Sequence, residues 1–105
     1  MNLEERVQTA ILIKYYGELL TEKQKNILSM YVDNNLSLAE VSEEIGISRQ
    51  AVKDALDNAL QTLKTTEDKL KFIQRDEKIK EYIENLSDKE LNLITKLQII
   101  SLLEE

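Results

Sequence analysis

The sequence predicts an all-helical fold on three observations. The 105 residues include no proline and two glycines, so little interrupts a helix. Apolar side chains recur at the helical period. Three times, at Thr21, Ser37 and Ser87, a hydroxyl residue precedes a Glu or Gln by three positions just before such a run, the reciprocal capping pattern of a helix start. At 42% apolar residues the chain is ordinary for a globular protein and too apolar for a disordered one. Its length suits one domain.

Each element follows in order. An opening helix is expected from about Leu3 to Leu20, with Leu3, Val7, Ala10, Ile11, Tyr15, Tyr16 and Leu19 on a broad apolar face. Thr21 and Gln24 start a second helix, running to about Asp33 and burying Ile27, Leu28, Tyr31 and Val32; Asp33, Asn34 and Asn35 are turn formers that end it. Ser37 and Glu40 start a short helix through Glu44, and Gly46 stands where a helix commonly turns left-handed. Ser48 is an N-cap for a helix with no breaker from Arg49 to at least Phe72. Val52, Leu56, Ala59, Leu63, Thr66, Leu70 and Ile73 alternate four and three apart along it, a heptad seam roughly 36 Å long at 1.5 Å per residue. The tail is expected to cover that seam. It holds a short helix with Ile79, Tyr82 and Ile83, then a last helix opened by Ser87 and Glu90. The last helix carries Leu91, Leu93, Ile94, Leu97, Ile99, Ile100, Leu102 and Leu103 on more than one face. With no linker between these parts, one domain over residues 1–105 is expected, its core over about 3–60 and its extension over about 61–105.

The densest information lies from Ser37 to Lys53. A capped helix of about two turns meets Gly46 and then a second capped helix. Ser42 is small where crossing helices approach, Val52 points back, and Val41, Ile45 and Ile47 fill the space beneath. That is the steric pattern of a helix-turn-helix, whose second helix enters the major groove by its first turn. Ser48, Arg49, Gln50 and Lys53 then form the presented edge. Arg suits a guanine edge, Gln an adenine edge, and Lys or Ser a phosphate. The alternative is a helical hairpin on which Arg49 and Gln50 are merely solvated.

Charge limits this surface. The chain has 14 Lys+Arg against 20 Asp+Glu, a formal charge of −6. The first motif helix carries Glu40, Glu43 and Glu44, and the second offsets Arg49 and Lys53 with Asp54 and Asp57. Further on, Lys64, Lys69, Lys71, Arg75, Lys78 and Lys80 outnumber Glu67, Asp68, Asp76 and Glu77. This segment reads first as a solvated face of alternating charge, with a grip on a nucleic-acid backbone as the alternative.

The stretch Ser37 to Lys53 resembles the helix-turn-helix of sigma-factor region four. The wider set, Leu19 to Lys25, Leu36 to Glu44 and Ser48 to Val52, is similar to the YlxM family of small bacterial proteins over roughly residues 3 to 75. The resemblance implies a sigma-region-four-like helical bundle with a long recognition-side helix and added carboxy-terminal helices. It also implies a regulatory role in the signal recognition particle pathway, and it puts Arg49, Gln50 and Lys53 where sigma factors contact promoter DNA. The chain departs from the sigma pattern at Ala51 and Asp54, where longer polar or basic side chains are usual, so RNA or a protein stays open beside DNA.

The expected function is that of a nucleic-acid-binding regulatory protein. The alternative is a non-catalytic interaction module for the GTPase or RNA of the signal recognition particle. Catalysis is not expected. There is no His or Cys, no glycine-rich phosphate loop, and the carboxylates lie on exposed helix faces. No cofactor and no metal are expected. The amino terminus opens with Glu4 and Glu5, and its apolar run from Ala10 stops at Lys14, so neither an export signal nor a membrane span is expected, and the cytoplasm is the expected location. The many-faced last helix suggests a two-fold homodimer.

Overall fold

A computed structural model describes residues 1–104 along the backbone and side chains through Leu102; Leu103, assigned above to the last apolar set, lies outside the described side chains. The described residues form α1 (Leu3–Tyr16), α2 (Glu22–Leu28), α3 (Leu38–Ile45), α4 (Arg49–Leu70), α5 (Phe72–Glu84) and α6 (Asp88–Glu104), with no strand among them. The fold is all-α. No described helix is long and apolar enough to cross a membrane.

The chain divides into two compact units, one through Ile73 and one from Gln74 onward. In the first, α1 ends in a 3-10 turn at Gly17–Leu19 rather than running on as α-helix. Thr21 then starts α2 by the reciprocal cap: its hydroxyl accepts from the Gln24 amide at 3.2 Å, and its own amide donates to Gln24 Oε1 at 2.9 Å. Past Leu28 the helix widens into a π-helical turn, Ser29–Asp33, closed by the Asn34 amide on the Ser29 carbonyl at 3.1 Å. The Arg6 guanidinium satisfies the Val32 carbonyl there at 2.6 Å and ties the turn to α1.

The core consists of Tyr16, Leu20, Ile27, Leu28, Val32, Val41, Val52, Leu56, Ala59 and Leu63. The last four are the heptad seam of α4, and the helices packed on α4 are α1, α2 and α3. Cover for the seam therefore comes from the amino-terminal helices, where the sequence reading assigned it to the tail. Beyond Leu63 the seam opens: Leu70 is half exposed, while Ile73 packs back against the core.

The helix predicted to continue to Phe72 stops at Leu70. Lys71 takes a left-handed backbone, φ 57° and ψ 31°, and α5 begins at the next residue. No proline or glycine causes this break.

In the second unit, α5 ends in a turn held by Asn85 and Leu86 amides on the Tyr82 and Ile83 carbonyls. The Ser87–Glu90 pair caps α6 reciprocally, at 2.9 and 3.3 Å. Ile83, Leu86, Leu91 and Ile94 are half-buried, whereas Leu93, Leu97, Ile99, Ile100 and Leu102 are exposed.

Candidate nucleic-acid interface

The site is built by two caps and one turn. Ser37 opens α3, with its hydroxyl accepting from the Glu40 amide at 3.1 Å and its amide donating to Glu40 Oε1 at 3.2 Å. Gly46 closes α3 with φ 80° and ψ 32°, its amide on the Ser42 carbonyl at 2.9 Å. A Cβ at Gly46 would meet nothing within 4 Å, so glycine is required there by backbone conformation and not by space. Ser48 then opens α4 by accepting from the Ala51 amide at 3.0 Å.

Ser42 does more than leave room. Its hydroxyl donates to the Ile47 carbonyl at 2.5 Å, tying the last turn of α3 to the segment that leads into α4. The sequence reading missed this bond and assigned Ser42 a purely steric role. Beneath the turn Val41 and Val52 are fully buried, and Ile45, Ile47 and Ala55 pack half-buried around them. The angle between α3 and the start of α4 is thus fixed by apolar contact on one side and hydrogen bonds on the other.

Ser48, Arg49, Gln50 and Lys53 are all exposed. Ser48 Oγ is engaged as the cap, which leaves that hydroxyl to donate outward. Arg49 makes no ion pair among the described residues. Gln50 Nε2 donates to Asp54 Oδ1 at 2.9 Å, and Lys53 Nζ pairs with Asp57 Oδ2 at 3.0 Å, one helical turn on in each case. The hydrogen bond to Asp57 is the main reason the Lys53 ammonium holds its proton above the usual lysine range; Asp54 and Tyr31 add smaller contributions. Tyr31, read from the sequence as core, is half-buried and packs at the edge of the core.

The first turn of α4 carries no acidic residue, so the positive end of the helix dipole is not neutralised there. Acid returns one turn later, and Glu40, Glu43 and Glu44 are exposed on α3. The arrangement therefore offers a narrow cationic edge: one unpaired guanidinium, a carboxamide and an ammonium held by local carboxylates, and the amide end of a helix. Among the described residues no group of three or more carboxylates is gathered to hold a metal ion.

Sequence similarity to known proteins runs along nearly the whole chain. The family described as "Putative helix-turn-helix protein, YlxM / p13 like" (UPF0122) matches residues 3–103. A UPF0122 protein of Clostridium kluyveri is 40% identical over 91% of this chain and 94% of its own length. A UPF0122 protein of Mycoplasma capricolum subsp. capricolum is 37% identical over 98% of this chain and 88% of its own. The UPF0122 protein YofM of Lactococcus lactis subsp. lactis is 36% identical over 100% and 97%. The chain belongs to the YlxM / p13-like helix-turn-helix family.

Proposed function

We propose that this protein is a regulatory nucleic-acid-binding protein that docks the first turn of α4 in the major groove of duplex DNA. The observation carrying the proposal is the exposed set Arg49, Gln50 and Lys53 on a helix start fixed by Gly46 and the Ser48 cap, with no acid in its first turn. Arg49 reads a base edge or holds a phosphate, Gln50 reads a base edge once it leaves Asp54, and Lys53 contacts the backbone. Membership in a helix-turn-helix family supports the reading.

The test is duplex-DNA binding of the full chain at two salt concentrations, with Arg49→Ala and Lys53→Ala. Binding should weaken steeply with salt, and each variant should lower the slope of log affinity against log salt by about 0.9. Binding indifferent to both substitutions would make the motif structural only.

A second reading draws on α6, where Leu93, Leu97, Ile99, Ile100 and Leu102 are at least half exposed. That much apolar surface suits a protein partner. The resemblance noted above makes the GTPase or RNA of the signal recognition particle the candidate, so both belong in the same binding assay. Tight binding to either, with none to DNA, would replace the first reading by the second.

A further inference from the structure

The π-helical turn after α2 is followed by a sharp change of direction. The Leu36 amide donates to the Met30 carbonyl at 3.0 Å, and Asn35 takes a left-handed backbone, φ 55°, a conformation its short polar side chain tolerates. Ser37 can then open α3. At this bend, where α1, the π-helical turn and the start of α3 come together, lies a cavity of about 260 Å³ whose lining includes Arg6, Tyr31, Asn35, Ser37 and Glu40.

Arg6 brings a cation to this cavity. It is half-buried and makes no ion pair among the described residues. Its hydrogen bond runs from Nη2 to the Val32 carbonyl at 2.6 Å. A guanidinium carries several further N–H donors in a planar fork, and that fork matches the oxygens of a phosphate. Glu40 shares the cavity and opposes an anion there. Its Oε1 is drawn to the Ser37 amide at 3.2 Å, so the carboxylate weakens the site without occupying the Arg6 fork.

The place of the cavity says where a phosphate would come from. When the second helix of a helix-turn-helix enters the major groove by its first turn, the first helix crosses the sugar–phosphate backbone. Here the first helix is α3, and its charged residues, Glu40, Glu43 and Glu44, all repel phosphate. Arg6 supplies the opposite charge beside the start of α3 from outside the motif. Tyr31 links the two places, since it lines the cavity and lies near enough to Lys53 to act on its ammonium.

We propose that Arg6, in the cavity between α1, the π-helical turn and α3, binds a backbone phosphate of the duplex DNA whose major groove takes the first turn of α4. The proposal rests on the nucleic-acid reading and adds to it a contact outside the helix pair, one that fixes the position of the pair on the duplex without reading sequence.

The test uses the full chain and a mixed-sequence duplex. Arg6→Gln should weaken binding about threefold to tenfold at low salt and lower the slope of log affinity against log salt by about 0.9. Glu40→Gln should tighten binding about threefold, because glutamine keeps the reciprocal cap and removes only the charge. In the wild type the Arg6 Nε–H resonance should shift as duplex is added, which a guanidinium serving only the Val32 carbonyl would not do. If Arg6→Gln loosens the fold, Glu40→Gln and the resonance still decide. Binding that needs Arg49 and Lys53 but ignores Arg6→Gln and Glu40→Gln would overturn this proposal and leave the groove reading standing. Binding indifferent to all four substitutions, or no binding of duplex at all, would overturn both. An Arg6 resonance that responds to inorganic phosphate but not to duplex would make the cavity a small-anion site and also overturn the proposal.

Discussion

The hydroxyl of Tyr16, at the end of α1, donates to Glu67 Oε1 at 2.5 Å across 51 residues of sequence. Around this bond the start of α5 is assembled. The Phe72 amide donates to Tyr16 Oη at 3.3 Å and the Ile73 amide to Glu67 Oε1 at 3.1 Å. The Tyr16 and Phe72 rings stack with centroids 6.4 Å apart. The first amides of a helix lack partners within it, and here a phenol and a carboxylate from two other turns supply them. That cap from a distance stabilises a helix start where the local sequence would continue α4.

Tyr16→Phe isolates the contribution of the bond. The ring and its stack with Phe72 persist, while Glu67 and the Phe72 amide each lose one hydrogen-bond partner. The melting temperature should fall by about 4–8 °C. Amide exchange should speed up at Phe72 and Ile73 before it does at Val52 or Leu56, which lie in the core of the same unit. Equal acceleration at all four positions would mean that the hydroxyl acts on the whole fold and not on the junction.

The left-handed residue at the junction gives a test by sign. A non-glycine residue in that conformation costs roughly 1–2 kcal/mol, and glycine avoids the cost while losing more backbone freedom on folding. With Lys71 at φ 57°, Lys71→Gly should stabilise the protein by about 0.5–1 kcal/mol in urea denaturation. If α4 instead ran straight into α5 in solution, the same substitution would destabilise by about 1 kcal/mol, as a glycine inside a helix does.

Alkaline pH probes the same bond through the phenol. Burial, and then the hydrogen bond to Glu67, hold the Tyr16 hydroxyl protonated above the ordinary tyrosine value of 10.0. The unfolded chain therefore releases this proton first as pH rises. The contribution is complete below pH 10 and is lost as pH climbs beyond it through the folded value. Denaturant midpoints should fall above pH 10 more steeply for the wild type than for Tyr16→Phe, which has no such proton to lose. Parallel declines would assign the alkaline loss to other groups.

Helix starts were legible in the sequence because their causes are local. Thr21 with Gln24, Ser37 with Glu40, Ser48, and Ser87 with Glu90 each act within one turn, and Gly46 needs only its own backbone. The exposed edge at Arg49, Gln50 and Lys53 was legible for the same reason, since Val41 and Val52 fix which side of each helix is buried. The stop at Leu70 was not legible, because its partners are Tyr16 and Glu67, far apart in the chain. The occupant of the heptad seam was likewise hidden: Val52, Leu56, Ala59 and Leu63 announce a buried stripe without saying whether α1 or the tail buries it. Nor could the sequence separate the two apolar sides of α1, since Thr9 and Tyr16 face inward while Val7 and Ile11 face outward by packing alone.

The carboxylates one turn above the candidate edge set how strongly it can act. Asp54 holds the Gln50 carboxamide and Asp57 holds the Lys53 ammonium, so a nucleic acid must displace two local partners to engage them. Lys53 and Asp57 are 55% and 59% exposed, so their pair is solvent-screened and easily broken, but the carboxylate stays nearby and repels phosphate. Asp57→Asn should therefore tighten duplex-DNA binding about threefold to tenfold at low salt, with a smaller gain from Asp54→Asn, and both gains should shrink as salt shortens the Debye length. The control is Asp88→Asn in α6, which makes the same change in net charge away from the edge and should alter affinity by less than about twofold. If all three variants gain equally, overall charge governs binding; if only the two on α4 gain, the phosphates lie against the second turn of that helix, as docking by its first turn requires.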